Sequence, residues 1–209
     1  MFVANGRREL MTAGTTVTPF LALGDGKRAI DDAELEQHLE RVADSLVEDG
    51  AKRILLVPPD HTRLYSRGGP IAVHLDRALR KRGAEVSIMP ALGTHRPLTA
   101  EQCRLLFHDA IGVERLLEHR WRDGLATPGE LAPEEVSAAA GRDLELSLPL
   151  MVNSALVDGR FDLVIAVGQV VPHEVAGFGG YTKHVCIGLG GRETIHRRST
   201  APCKPPGMP

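Results

Sequence analysis

Aromatic residues make up only 4% of this 209-residue chain, and there is a single tryptophan, so few platforms exist on which bases could stack. Charge of one sign is also missing: 25 Lys and Arg against 27 Asp and Glu leave a formal net charge of −2, without the basic footprint of a nucleic-acid binder. Nucleic acid is therefore not an expected partner. Cysteine is scarce. Cys103, Cys186 and Cys203 are odd in number and share no close spacing, which argues against a disulfide framework or a zinc knuckle; Cys103 and Cys186 are expected to be buried. No apolar run approaches the length of a bilayer span, and no N-terminal stretch joins a basic flank to a long apolar run. The expectation is a cytoplasmic protein without membrane association.

What is present is an ordinary globular composition, 43% hydrophobic, enough to bury the core of one large domain or two small ones. Residues 1–28 are interrupted by Gly6, Gly14, Gly24 and Gly26 and read as an irregular or hairpin-like lead-in. From Asp31, acidic residues followed by Leu35, Leu39, Val42, Leu46 and Val47 at helical spacing, closing on Gly50, predict an amphipathic helix. His38 within it reads as a solvated surface residue. Arg53–Val57 and Ala84–Met89 predict strands, joined by a helix over Gly69–Arg82 with Pro70 in its first turn and Gly83 at its stop. Such a β-α-β order implies parallel neighbours. Thr99 to Gln102 opens a further helix through Phe107. The span 109–148 is the least patterned; a short helix at Pro133–Ala140 and a strand pair or insertion are expected there, with His108 and His119 at the surface and Trp121 in packing. PLMVNS (149–154) reads as a strand. FDLVIAVG (161–168) is a continuous apolar run rich in β-branched residues, as expected of a strand covered on both faces. The predicted fold class is thus α/β, an open, mostly parallel sheet with flanking helices. Residues 29–195 form its domain, and the proline-rich 196–209 is expected to be a frayed or truncated end.

Chemistry concentrates where the predicted strands end. The first runs into PPDHTR with Asp60 and Arg63, the second into GTHRP with His95, and the third into VPHEVAGFGGYTKHVCIGLGG with His173, Gly177, Gly179, Gly180 and Lys183. In an open parallel sheet these ends share one edge, where ligands bind. An arginine there matches a carboxylate or phosphate bidentately. The glycines permit positive φ and close approach to an anion. Two histidines with an arginine suit a proton taken from one face of a small anionic substrate and returned at the other. Breaking an unactivated Cα–H bond is beyond histidine alone and calls for a hydride acceptor or a metal.

The segments PPDHTR, ALGTHRP followed by LTAEQ, and PHEVAGFGGYTK, in this order, resemble the signature segments of the amino-terminal domain of the nickel-pincer lactate racemase family. The resemblance implies a nicotinic-acid-derived mononucleotide that holds nickel in a sulfur–carbon–sulfur pincer and is tied covalently to Lys183. It also implies His95 and His173 as the acid/base pair, Asp60 and Arg63 as residues that position the substrate and the histidines, and Gly177, Gly179 and Gly180 near the cofactor phosphate. The substrate it implies is a small 2-hydroxy acid, and the partners are cofactor-maturation proteins. In the family a nickel-coordinating histidine follows the Thr-Ile pair; here that place falls on Ser199, with His196 just upstream as the candidate metal ligand. Family members also carry a second α/β domain over the site. The alternative is a catalytically silent or half-enzyme domain that binds the cofactor or a separate carboxyl-terminal chain. A generic phosphate binder is a weaker reading, since no Gly-Lys-Ser/Thr follows the glycines.

Overall fold

The computed structural model describes residues 2–5, 21–23, 27–173, 177–180 and 182–200, with backbone alone at 2–5, 177 and 198–200. In chain order the elements are β1 (Phe2–Asn5), α1 (Asp32–Glu48), β2 (Arg53–Val57), α2 (Gly68–Lys81), β3 (Glu85–Ile88), α3 (Ala100–Phe107), β4 (Leu125–Leu131), α4 (Pro133–Ala140), β5 (Leu148–Asn153), β6 (Leu163–Ala166), β7 (Val171–His173), β8 (Gly177–Gly179), α5 (Thr182–Cys186) and α6 (Arg192–Thr200).

The central sheet has the order β1-β6-β2-β3. β6, β2 and β3 run parallel, and β1 closes one edge antiparallel to β6. The fold is therefore α/β with an open, mostly parallel sheet. The apolar runs are continuous because both faces of the sheet are covered. On one face Ile54, Leu56, Val86, Ile88, Leu163 and Ile165 pack with Leu39 and Val42 of α1, Leu75 and Leu79 of α2, and Phe107 of α3. On the other, Leu55, Val57 and Met89 meet Ala155 and Leu189. Leu55, Leu75 and Phe107 are wholly buried, and burial of such a side chain stabilises by roughly 1.5–3 kcal/mol each.

Local chemistry sets the helix ends. The Asp31 side chain accepts from the Glu34 N–H at 2.8 Å and starts α1. α4 begins at Pro133 and stops at Gly141 in the left-handed region. Between α3 and β6, β4 and β5 form an antiparallel pair, joined to the segment after α5 by the Val152–Gly190 bridge.

Several expectations change. Phe2–Asn5, within the lead-in read as irregular, is an edge strand paired with β6; residues 1, 6–20 and 24–26 of that stretch lie outside the described residues. Arg192–Thr200 is helical although its sequence lacks apolar periodicity, because the buried Thr194 hydroxyl donates to the Pro149 carbonyl at 2.6 Å and accepts from the Met151 N–H at 2.7 Å. Residues 201–209 of the expected tail lie outside the description. His119, read as a surface residue, is buried, whereas His108 is exposed. His38 is half-buried, with Nδ1 closed off from solvent. Cys103 is buried as expected, but Cys186 is exposed. Among the described residues no helix is long and apolar enough to cross a membrane.

Candidate functional site

Beyond Val57 the chain does not leave the sheet at once. Pro58 still accepts from the Ala91 N–H at 2.8 Å, and Pro59 bridges Ala91 in parallel, so the tips of β2 and β3 stay in register two residues past the predicted ends. Asp60 then caps a short 3-10 turn over His61–Ser66. Its Oδ1 accepts from the Thr62 N–H at 3.0 Å and the Thr62 hydroxyl at 2.5 Å. Its Oδ2 lies 2.5 Å from His95 Nδ1. Burial would raise this carboxyl, but the bonds from Thr62 and His95 outweigh it and hold Asp60 below the usual carboxylate range. An ionised carboxylate only accepts, so His95 Nδ1 carries the hydrogen and Nε2 is left for exchange with a ligand.

The third tip is that of β6. After Gly168 the chain turns into the β7–β8 hairpin, where His173 pairs with Gly177. Of the three glycines singled out, Gly177 and Gly179 lie within β8, and Gly180 has positive φ, +74°. A Cβ at Gly180 would sit 2.4 Å from the Gln169 carbonyl oxygen, so only glycine lets the hairpin close against that segment. The Gly180 carbonyl accepts the Lys183 N–H at 3.0 Å and thereby sets the start of the turn of helix carrying Lys183.

These segments enclose a cavity of about 460 Å³ lined by Asp60, Arg63, His95, His173, Gly179, Gly180 and Lys183. That volume lies in the range of small-molecule sites. Seven of the predicted site residues thus share one cavity. His196 is outside its lining; it is exposed on α6, and the cavity is lined there by Ile195. Among the described residues no group of three or more His, Cys, Asp or Glu side chains is arranged to hold a metal ion unaided.

Sequence reasoning gave no role to His184, which the structure places in the same wall. Its ring is buried, with Nδ1 closed off and without a hydrogen-bond partner among the described residues. A Cβ on Gly168 would fall 2.8 Å from its Cε1, so glycine at the β6 tip makes room for the ring. Burial, with the neighbouring Lys183 charge, lowers the His184 pKa against the opposing pull of Asp60. His119 was also missed. Its Nε2 donates to the Gly190 carbonyl at 3.1 Å, its Nδ1 lies 3.3 Å from Asn153 Nδ2, and the Asn153 N–H donates to the Leu189 carbonyl at 2.8 Å. This buried network fastens the segment after α5 to the β4–β5 pair.

Compared with known proteins, residues 22–204 match the family model of the lactate racemase N-terminal domain. The chain is 28% identical over 173 residues to the lactate racemase of Thermoanaerobacterium thermosaccharolyticum, a match covering 81% of this chain and 36% of that protein. The chain thus spans little more than a third of the length of this curated relative.

Proposed function

The chain belongs to the lactate racemase N-terminal domain family, and we propose that it forms the base- and cofactor-carrying part of an enzyme that racemises or epimerises a small 2-hydroxy acid such as lactate, in the cytoplasm. The observation that best supports this reading is that Arg63, His95 and His173, from three separate strand tips, line one cavity with Lys183.

The residues fit the organic part of a nickel-pincer mononucleotide. Lys183 would hold it covalently, and Gly179 and Gly180 would allow its phosphate to approach the backbone. The fit to the metal is poorer on α6. His196 is exposed and outside the cavity lining, and a serine such as Ser199 is a poor nickel ligand. When bound, the group would supply an acceptor for the hydrogen and electron pair of the substrate Cα, a capacity that none of these side chains has.

The chain's own residues would do the rest. Arg63 matches the substrate carboxylate with two parallel N–H donors. His95, with Nδ1 committed to Asp60, exchanges a proton through Nε2 with the substrate hydroxyl. His173 does the same from the hairpin wall, so that either enantiomer meets a base.

Production alongside the cofactor-maturation proteins is expected to give a covalent mass adduct on Lys183 and interconversion of D- and L-lactate or of another 2-hydroxy acid. An unmodified Lys183 under those conditions would sink the reading. Activity that arises only on mixing with a separate carboxyl-terminal domain chain would make this chain one half of the site.

A further inference from the structure

Helix α3 opens with a reciprocal cap. The Thr99 hydroxyl accepts from the Gln102 N–H at 3.2 Å, and the Thr99 N–H donates to Gln102 Oε1 at 3.0 Å. Because only the amide oxygen can accept that bond, the cap decides which way round the Gln102 amide sits. The amide nitrogen is left facing His61, with Gln102 Nε2 3.0 Å from His61 Nε2. An amide NH₂ only donates, so His61 Nε2 accepts and the ring hydrogen sits on Nδ1. That Nδ1 is buried without a partner among the described residues. The ring therefore keeps the Gln102 bond at the expense of an unsatisfied donor.

His61 directly follows Asp60, and Thr99 lies on the same loop as His95. The two turns are thus tied twice, once by Asp60 to His95 at 2.5 Å and once by His61 to Gln102 and Thr99. The second tie adds to the Thr62 bonds on Asp60 and to the bond from the His95 N–H to the Leu92 carbonyl, in turns whose own side chains pack little. No residue of the His61–Ser66 turn is buried, and the His95 side chain is 60% exposed, so packing does not orient it.

We propose that Gln102, acting through His61, is a positioning residue for the Asp60–His95 pair: the helix cap orients the amide, the amide selects the His61 tautomer, and the resulting bond holds Asp60 where it accepts the His95 Nδ1–H. The assignment of His95 as a base rests on the proposed racemase function; the tie itself is measurable without substrate or turnover.

The test is nitrogen-15 NMR of histidine-labelled full-length protein, reading the His61 tautomer and the solvent exchange of the His95 Nδ1 hydrogen. Wild type is expected to show His61 protonated at Nδ1. In Gln102→Glu the carboxylate still caps Thr99 but can only accept, so His61 is expected to switch to the Nε2–H tautomer and exchange at His95 to stay slow. In His61→Phe the cap remains and the tie is gone. Exchange at His95 is then expected to rise by about tenfold, the loss of roughly one net hydrogen bond, with little change in melting temperature. A wild-type His61 protonated at Nε2, or a Gln102→Glu protein that keeps the Nδ1–H form, overturns the proposal even if His61→Phe fails to fold. Unchanged exchange in a folded His61→Phe protein overturns it as well. Loss of racemase activity with these signatures intact would count against the proposed function alone.

Discussion

The Asp60 carboxylate, buried at the tip of β2, lies 2.5 Å from Nδ1 of the exposed His95 at the tip of β3. A carboxylate in that place holds one tautomer and stabilises the imidazolium formed when Nε2 takes a proton. Asp60→Asn would keep the shape and could still accept from Thr62, but an amide nitrogen turned towards His95 would favour hydrogen on Nε2. On the proposed racemase reading, turnover is expected to fall by about 10²–10⁴-fold, by analogy with the orienting carboxylate of hydrolase triads. KM and melting temperature should change little. A chiral assay of lactate interconversion checks this, and a turnover within a few-fold of wild type would remove Asp60 from the reaction.

Acid should loosen the site before it unfolds the sheet. Burial lowers the pKa of His119, against the bond to the Gly190 carbonyl, and also that of His184, where the Lys183 charge adds to it. Between each lowered folded value and the unfolded value of about 6.5, the unfolded chain binds more protons than the folded one. The stability is fully present above about pH 6.5 and declines as pH falls below it. Asp60, also lowered by its bonds, adds a second loss beginning only below about pH 4. Urea unfolding followed from about pH 8 to about pH 5 should show the midpoint falling, and His184→Phe should flatten that slope. A wild-type midpoint independent of pH across this window would refute the assignment.

Much of this arrangement is legible in the residues, and the limits have physical causes. RILLV and FDLVIAVG stand out because strands covered on both faces cannot alternate polar and apolar side chains. The cap at Thr99 and Pro133 at the start of α4 are local signals read from a few neighbouring residues. His184 and His119 are different. Burial of His184 depends on Gly168 at the end of another strand, and burial of His119 on Asn153 and Gly190, which are 34 and 71 residues away. Nothing near either histidine in the sequence announces those partners. β1 is four residues long and carries no pattern of its own; the β6 edge supplies its place.

Arg63 lines the cavity from the turn capped by Asp60, where a planar guanidinium can present two donors to one carboxylate. Lysine keeps the charge but loses the fork. If the proposed 2-hydroxy acid is the substrate, Arg63→Lys is therefore expected to raise its KM by about tenfold, the value of roughly one charge-assisted hydrogen bond, with a smaller effect on kcat. Initial-rate kinetics separate the two. An effect on kcat alone would mean that Arg63 does not hold the ground-state carboxylate.

Neighbouring glycines in the Lys183 wall should respond very differently to alanine. At Gly179 a Cβ would meet Val171 Cγ2 at 3.6 Å and the Val171 carbonyl oxygen at 3.7 Å, both ordinary contacts, and the residue lies in extended β8, so Gly179→Ala should fold with nearly unchanged stability. Gly180 has φ of +74°, and its Cβ would lie 2.4 Å from the Gln169 carbonyl oxygen and 3.1 Å from the carbonyl carbon. Backbone cannot yield as a side-chain end can, and a non-glycine residue held at positive φ costs on the order of 1–3 kcal/mol by itself. The strain would be relieved by lifting the hairpin, and because the Gly180 carbonyl accepts the Lys183 N–H, the start of α5 would move with it. Gly180→Ala is thus expected to lower both the melting temperature and, on the proposed reading, the fraction of chains carrying a Lys183 adduct, read by intact mass, while Gly179→Ala leaves the melting temperature near wild type. A Gly180→Ala adduct yield equal to that of wild type would mean that the approach of Gly180 to Gln169 does not set the place of Lys183.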